Sequence, residues 1–476
     1  MAEAILTARA LEALLGDWRG GDPAVYRALA ERVRLLVLDG RIPTATRLPA
    51  ERELAERLGL SRTSVTAAYR ELRDRGFVHS VRGSGSAVRI PGTAAAPAPH
   101  AEPGTIDFGK ASPPALPWLA DVAAESAAEL AAHLGTSGYE PLGLPVLREA
   151  IARRYTARGL PTSPDEILVT IGAQHAIALL ARTLIGRGDR ALIEAPTYPH
   201  AYEALRTAGA RLVAVAAAPH DEAPADEGAE LARAIRHSNP VAAYLMPDFH
   251  NPTGRSLDDA ARSVVVDAAE RSGTVLIADE TTAELDIDRA GGPFAPLAAH
   301  GPAVLIGSLG KIAWGGLRIG WIRAEPALIR RLLGVRAPGD LGTPVLEQLI
   351  AARLVDRQDE AVELRRAQLG AGRALLETLL AESFPEWRVP HVDGGLAAWI
   401  DLGAPVSSQL ALAARARGLV VPAGPRFGID GAFERRLRLP ICYSADETRA
   451  AVRVLELAWA SLGSVASAEA GYAAVV

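Results

Sequence analysis

The stretch "SLGKIAWGGLRIGW" (308–321) contains one of only two lysines in a chain of 476 residues that also carries 49 arginines. It follows an apolar run, "AVLIG" (303–307), that reads as a strand, and it enters a glycine-rich turn. A lysine amine can lose its proton and attack a carbonyl carbon, whereas a guanidinium stays protonated and is a poor nucleophile. The excess of Arg, with abundant Ala and Gly, fits a GC-rich genome, and against that bias a retained Lys311 is informative.

Moving outward from this turn, the sequence repeats a rhythm of strand, turn and helix. "EILVTIGAQHAIALLARTLIG" (166–186), "ALIEAPTYPHAYEALRTAGA" (191–210), "VAAYLMPDFHNPTG" (241–254) and "TVLIADE" (274–280) each join a β-rich apolar run to a turn or helix. That pattern predicts an α/β architecture, a mostly parallel sheet covered on both faces. In such sheets ligands sit beyond the carboxyl ends of the strands. Ala173-Gln174, Tyr198, Asn251, Asp279 and Lys311 fall there, after five different strand-like runs, so one shared pocket is expected. Singly each has a plainer reading: Asn-Pro-Thr-Gly is a turn found anywhere, Asp279 could cap a helix, and a lone lysine usually lies on the surface. Their order and spacing favour the pocket.

Composition limits the alternatives. The length calls for two or more domains. A hydrophobic content of 49% with 22% charged residues suits a soluble globular protein, and no apolar stretch reaches the ~18–20 residues of a membrane span. "MAEAILTARALEALLGDWRG" (1–20) has acidic residues and an amphipathic pattern in place of the basic start and apolar block of a signal peptide, so a cytoplasmic location is expected. The single Cys442 offers neither an intramolecular disulfide nor a zinc motif, and no metal site is expected.

Charge divides the chain. Residues 1–90 hold 15 Arg against 11 acids, while the remainder is acidic. Between the two parts, "PGTAAAPAPHAEPG" (91–104) has four Pro, two Gly and five Ala without apolar period, the composition of an extended linker. The expected organisation is a head at 1–90, a linker at 91–104 and a body at 105–476. In the head, "DPAVYRALAERVRLLVLDG" (22–40) predicts a helix with Val25, Leu29, Val33 and Leu36/Val37 on its buried face. A short helix follows with Leu54 and Leu58 inward, then a break at Gly59. Ser61 is placed as the N-cap of a third helix that buries Val65, Ala68, Tyr69 and Leu72. "GFVHSVRGSGSAVRI" (76–90) adds a hairpin around Gly83-Ser84-Gly85-Ser86. Two short helices about a glycine turn and a hairpin fit a winged helix-turn-helix.

Residues 40–90, "GRIPTATRLPAERELAERLGLSRTSVTAAYRELRDRGFVHSVRGSGSAVRI", resemble this domain of the GntR regulators nearly end to end. The resemblance implies that Arg47 and Arg52 approach phosphates, that Ser61, Arg62, Thr63 and Thr66 face the major groove of double-stranded DNA, and that the hairpin with Gly83 and Gly85 forms the wing. A helix N-terminus and small hydroxyls suit phosphate contact, and an arginine can read guanine bidentately. Any one of these arginines alone could equally lie on a solvated helix face.

The body resembles the fold-type I, pyridoxal 5'-phosphate-dependent aminotransferases, with a smaller C-terminal subdomain. With its head the chain resembles the MocR (GabR-like) regulators. The resemblance implies that Lys311 is the Schiff-base lysine, that Asp279 pairs with the pyridinium nitrogen, that Asn251 donates to the phenolic oxygen and that Tyr198 stacks on the ring. Arg318, Ser308 and the backbone of Ala173 and Gln174 would hold the phosphate. Tyr139 would enter the phosphate cup of a second subunit, which implies a homodimer, and Arg438 of "RRLRLPICY" (435–443) would grip a carboxylate, although Arg435 and Arg436 leave the register open. The chain departs from the family at three places. Thr281 and Thr282 stand where a tyrosine is usual, Ala173 replaces a hydroxyl residue, and Gly310 replaces the Ser that frequently precedes the lysine. Lys110 receives no role. The expected function is a transcription factor whose body senses pyridoxal phosphate or an amine effector and passes the change to the heads through the linker. A working aminotransferase with a DNA-binding appendage and a cofactor-free dimerisation scaffold are the competing readings.

Overall fold

The computed structural model describes residues 5–16, 18, 25–38, 41–42, 46–81, 85–88, 105–217, 227–290, 292–429 and 432–462. The expected linker and Gly83 lie outside the described residues.

The head packs four helices, α1 (Ala8–Leu15), α2 (Val25–Leu38), α3 (Glu51–Leu58) and α4 (Arg62–Asp74), beside an antiparallel pair, β1 (Val78–Val81) and β2 (Gly85–Val88). Leu29, Val33, Leu36 and Val37 of α2 are buried as their spacing predicts, but Val25 is 40% exposed. It is the first residue of the helix, a full turn before Leu29 enters the core. Gly59 ends α3 at φ +62, a left-handed conformation that costs a glycine little. Two residues on, the Ser61 hydroxyl accepts the Ser64 amide at 3.1 Å and opens α4. Val65, Ala68, Tyr69 and Leu72 then form the inner face, and the Tyr69 hydroxyl donates to Pro49 O at 2.9 Å.

The body begins at β3 (Ile106–Asp107), followed by α5 (Leu119–Glu129) and α6 (Pro145–Ala157). Its seven-stranded sheet has the order β4 (Ile167–Thr170), β10 (Gly320–Arg323), β9 (Val304–Ser308), β8 (Val275–Asp279), β7 (Ala242–Leu245), β5 (Arg190–Ala195) and β6 (Arg211–Ala216). Every neighbouring pair is parallel except those of β10, which runs against both β4 and β9. The reversal lets one connection, 309–319, start and finish at the ligand edge of the sheet. Side chains alternate across the strands: Leu168, Ile193, Ile277 and Ile306 pack under α7 (Gly172–Leu184), α8 (Pro199–Thr207) and α11 (Pro326–Arg336), while Val169, Leu192, Ala278 and Leu305 pack on the opposite face. That second face is covered by α9 (Glu227–Ser238), α10 (Asp259–Ser272), α12 (Val345–Asp356) and α13 (Gln358–Ser383) with α5 and α6. Covering both faces explains why these strands read as continuous apolar runs.

The smaller part contains β11 (Ala397–Asp401) paired with β13 (Arg436–Pro440), α14 (Ser407–Arg415), β12 (Leu419–Val420) and α15 (Ala445–Ser461). β12 pairs with β3, so the first strand after the expected linker is tied to this part. The head rests on it as well. Arg32 of α2 forms an ion pair with Glu434, and Leu35 is only 4% exposed although it stands outside the head's own apolar cluster. No helix among the described residues is long and apolar enough to cross a membrane.

Candidate functional site

Lys311 lies three residues beyond β9, in a turn fixed from behind. The fully buried Arg365 of α13 donates to Ile312 O at 2.8 Å, Ala313 O at 2.9 Å and Pro114 O at 2.6 Å. These bonds satisfy the carbonyls of a turn that has no ladder of its own. The Lys311 amine donates to Ala111 O at 2.6 Å. Burial, reinforced by the Arg438 charge against the opposing pull of Cys442 and Asp279, lowers the amine to about 8. About a tenth of it is then neutral at pH 7, far more than for a solvated lysine.

Across a cavity of about 360 Å³, Asp279 ends β8 at 2% exposure. Burial raises its pKa, and three donors oppose that shift: the Tyr244 hydroxyl at 2.6 Å, the Thr281 amide at 3.0 Å and the Thr281 hydroxyl. Tyr198, Asn251, Ala173, Gln174, Ser308, Arg318 and Arg438 line the same cavity. Tyr198 is pushed up to about 12 by burial and the Asp279 charge and therefore stays neutral. Asn251 belongs to a turn anchored in a buried ionic cluster, where Glu194 accepts from Arg255 and from the Met246 amide at 2.9 Å, and His250 meets Thr253 Oγ1 at 2.8 Å. At the first turn of α7, Gly172 has φ +75, and a Cβ there would lie 2.8 Å from Arg318 Nη2. Glycine thus lets Arg318, itself at φ +54 and donating to Ile171 O at 3.2 Å, close over the helix N-terminus. Amides and guanidinium together make an anion cradle.

Of Arg435, Arg436 and Arg438, it is Arg438 that lines the cavity. It is 5% exposed, donates to Gly109 O at 2.7 Å and Phe108 O at 3.3 Å, and its Nε has no partner among the described residues. Arg436 instead approaches Asp401 at 3.6 Å, and Arg435 donates to Gly403 O. Burial brings Arg438 down to about 10, still cationic at neutral pH.

In the head, Arg52, Arg62 and Thr63 are exposed, and Ser61 Oγ lies 2.7 Å from Thr63 Oγ1. Thr66 is not a free hydroxyl, because it donates to Glu51 at 2.6 Å and ties α4 to α3. Arg47 sits in backbone bridges to Ile5 and Ala87, and Gly85 opens β2 opposite Val81.

The family model described as "Aminotransferase class I and II" matches residues 107–455. The chain belongs to that family. A second model, "Bacterial regulatory proteins, gntR family", matches residues 25–88, so the aminotransferase body carries a gntR-type head. Similar chains join the two parts. The pyridoxine biosynthesis transcriptional regulator PdxR of Corynebacterium glutamicum is 30% identical over 393 residues, 77% of this chain and 81% of its own. The transcriptional regulator TauR of Rhodobacter capsulatus is 27% identical over 473 residues, 90% of this chain and 94% of its own. Among solved structures, LysN, the alpha-aminoadipate aminotransferase of Thermus thermophilus complexed with N-(5'-phosphopyridoxyl)-L-leucine, superposes with a TM-score of 0.68 at 28% identity, covering 75% of this chain and 93% of that one.

The aminotransferase body gathers all the expected pocket residues except Tyr139, which is 63% exposed and outside this chain's own cavity. Two details differ from expectation. The Ser308 hydroxyl donates to Ile319 O at 3.0 Å, so its proton is held within the turn. Of the two threonines in the usual tyrosine position, Thr282 donates to Asp248 O at 2.9 Å, while the Thr281 hydroxyl is hydrogen-bonded to Asp279. Tyr244 and Arg365 were missed by sequence reasoning. Tyr244 could have been found from strand alternation, since it and Asp279 lie on neighbouring parallel strands; no local signal marks Arg365.

Proposed function

We propose that the protein is a DNA-binding transcriptional regulator whose aminotransferase body holds pyridoxal 5'-phosphate and responds to an amine effector. The observation that carries this reading is the pairing, in one chain, of an exposed recognition-helix start with a pocket that sets a pKa-lowered lysine opposite a buried carboxylate. The pocket's donors fit the cofactor group by group: an amine for an aldehyde, Asp279 for a protonated ring nitrogen, and the Gly172–Arg318 cradle for a phosphate. When bound, the cofactor supplies a carbonyl carbon that reacts with amines and a ring that withdraws electrons. Lys311 would provide the amine, Asp279 with Tyr244 behind it would keep the ring nitrogen protonated, and Asn251 would donate to the phenolic oxygen. Tyr198 would cover the ring, and Arg438 would orient an effector carboxylate through its unpaired Nε. The protein would act in the cytoplasm as a homodimer, with Tyr139 serving the second subunit.

The test is Lys311→Ala in the full chain. The variant should lose the visible absorbance of the bound cofactor while retaining thermal unfolding and DNA binding like the wild type. Borohydride reduction of the wild type should place the pyridoxyl group on Lys311, and finding it on Lys110 would overturn the assignment. The competing reading, a working aminotransferase, keeps support from the intact lysine and aspartate. Release of a keto acid over many turnovers would favour it.

A further inference from the structure

A second cavity, of about 310 Å³, adjoins the first, and Gly109, Tyr198, His200 and Arg438 line both. Its outer wall comes from α14, through Leu412 and Arg415, and its far side from Arg426. The head closes it with Leu35 of α2. Three arginines and a histidine line this space, and no carboxylate does among the described residues. Arg426 is fixed by Glu203 at 2.5 Å and by the Tyr202 hydroxyl at 3.1 Å, both outside the lining. The exposed Arg415 side chain has no hydrogen bond or ion pair among the described residues, and the buried Arg438 has an Nε without a partner among them. Glu203, behind the wall, answers both Arg426 and His200, at 2.5 Å and 2.8 Å, so it is Arg415 and Arg438 that leave this concave space with positive charge to spare, which suits an anion.

Resting on the cofactor reading above, we infer that the effector is an amino acid with a second acidic group, lying across both cavities, with its distal acid held by Arg415 and Arg426 beneath Leu35 of the head. The amine end meets the cofactor pocket and the first carboxylate meets Arg438. The distal acid then occupies the space that α14 and α2 share. The head is tied to the same wall: Arg32 pairs with Glu434, and Glu434 accepts from the Ser408 amide at 3.0 Å and from its hydroxyl at 2.8 Å at the start of α14. A ligand that touches α14 and Leu35 together has a different affinity for docked and released heads, and that difference is what couples it to DNA binding.

The experiment uses the full-length protein loaded with pyridoxal phosphate and two probes of matched length, L-2-aminoadipate and L-norleucine. Cofactor absorbance reports ligand binding, and fluorescence anisotropy on DNA selected from a random pool reports operator affinity. Aminoadipate should bind at least tenfold more tightly than norleucine and change operator affinity at least fivefold. Arg415→Ala should bring aminoadipate to the norleucine level while leaving norleucine within twofold, and Leu35→Gln should reduce the change in operator affinity to under twofold. Equal binding of the two probes, or an equal loss of both in Arg415→Ala, would overturn the proposal while leaving the cofactor reading intact. A wild-type protein that forms no cofactor absorbance band would overturn both.

Discussion

Lys311 is prepared for reaction by its surroundings, and the preparation can be measured. Its amine is lowered to about 8 from the ordinary 10.5. The neutral, nucleophilic form therefore accumulates as pH rises through 8. Capture of pyridoxal phosphate by the apo protein should accelerate about tenfold per pH unit below 8 and level off above it, as stopped-flow absorbance would show. A rate still climbing at pH 10 would mean that the amine is not depressed. Tyr244 offers a second test, because its hydroxyl donates at 2.6 Å to a fully buried carboxylate. Tyr244→Phe removes a hydrogen bond to a charged group, typically about 1.5–3 kcal/mol. Cofactor affinity should fall by about ten- to hundredfold in a fluorescence titration. An unchanged dissociation constant would assign Tyr244 a packing role only.

Among the elements, α4 depends most visibly on one side chain. Ser61→Ala deletes the cap at the Ser64 amide and should destabilise the head by about 1 kcal/mol, seen as a lower midpoint of its thermal unfolding. Arg62→Ala should spare stability and weaken binding to selected DNA by about 1–3 kcal/mol if it reads a base. Equal weakening on random DNA would reduce Arg62 to a phosphate contact. The sequence made this helix legible because 3.6-residue periodicity and a capping serine are local signals. The strands were legible for a similar reason: burial on both faces forces unbroken apolar runs. What escaped was non-local. Arg365 holds the lysine turn from 53 positions away along the chain, and nothing near either residue records that contact. The departure at Thr281 and Thr282 was visible, but only the position of Asp248 determined that Thr282 turns away. Val25 fitted the buried face by spacing and lies exposed because the helix starts there.

At the scale of the molecule, the head contacts the body's smaller part directly, so on the coupling proposed above the signal does not need the linker to carry it. Adding ten Gly/Ser residues after Ala98 changes the effective concentration of the head only modestly, by under about 1 kcal/mol. The operator response to effector should therefore persist, and losing it would restore the expectation that spacing set by the linker is the signal. Arg32→Glu, in contrast, places like charges together at Glu434. It should free the head and raise the radius of gyration in solution scattering. A profile superimposable on that of the wild type would show that the ion pair does not hold the head in place.

The scarcity of lysine has a practical consequence. Apart from any terminal amine, an amine-directed acylating reagent meets two lysines, and although both border the cavity they differ sharply: the Lys110 side chain is 80% exposed at its rim and held loosely by Asp107 at 3.1 Å, while Lys311 is half-buried within it. Lys110, exposed at the rim, stays open to the reagent and serves as an internal reference. Lys311 labels only when its amine is not engaged. The ratio of the two modified peptides in a mass spectrum is thus a built-in gauge of pocket occupancy, readable in a crude extract without any assay of activity.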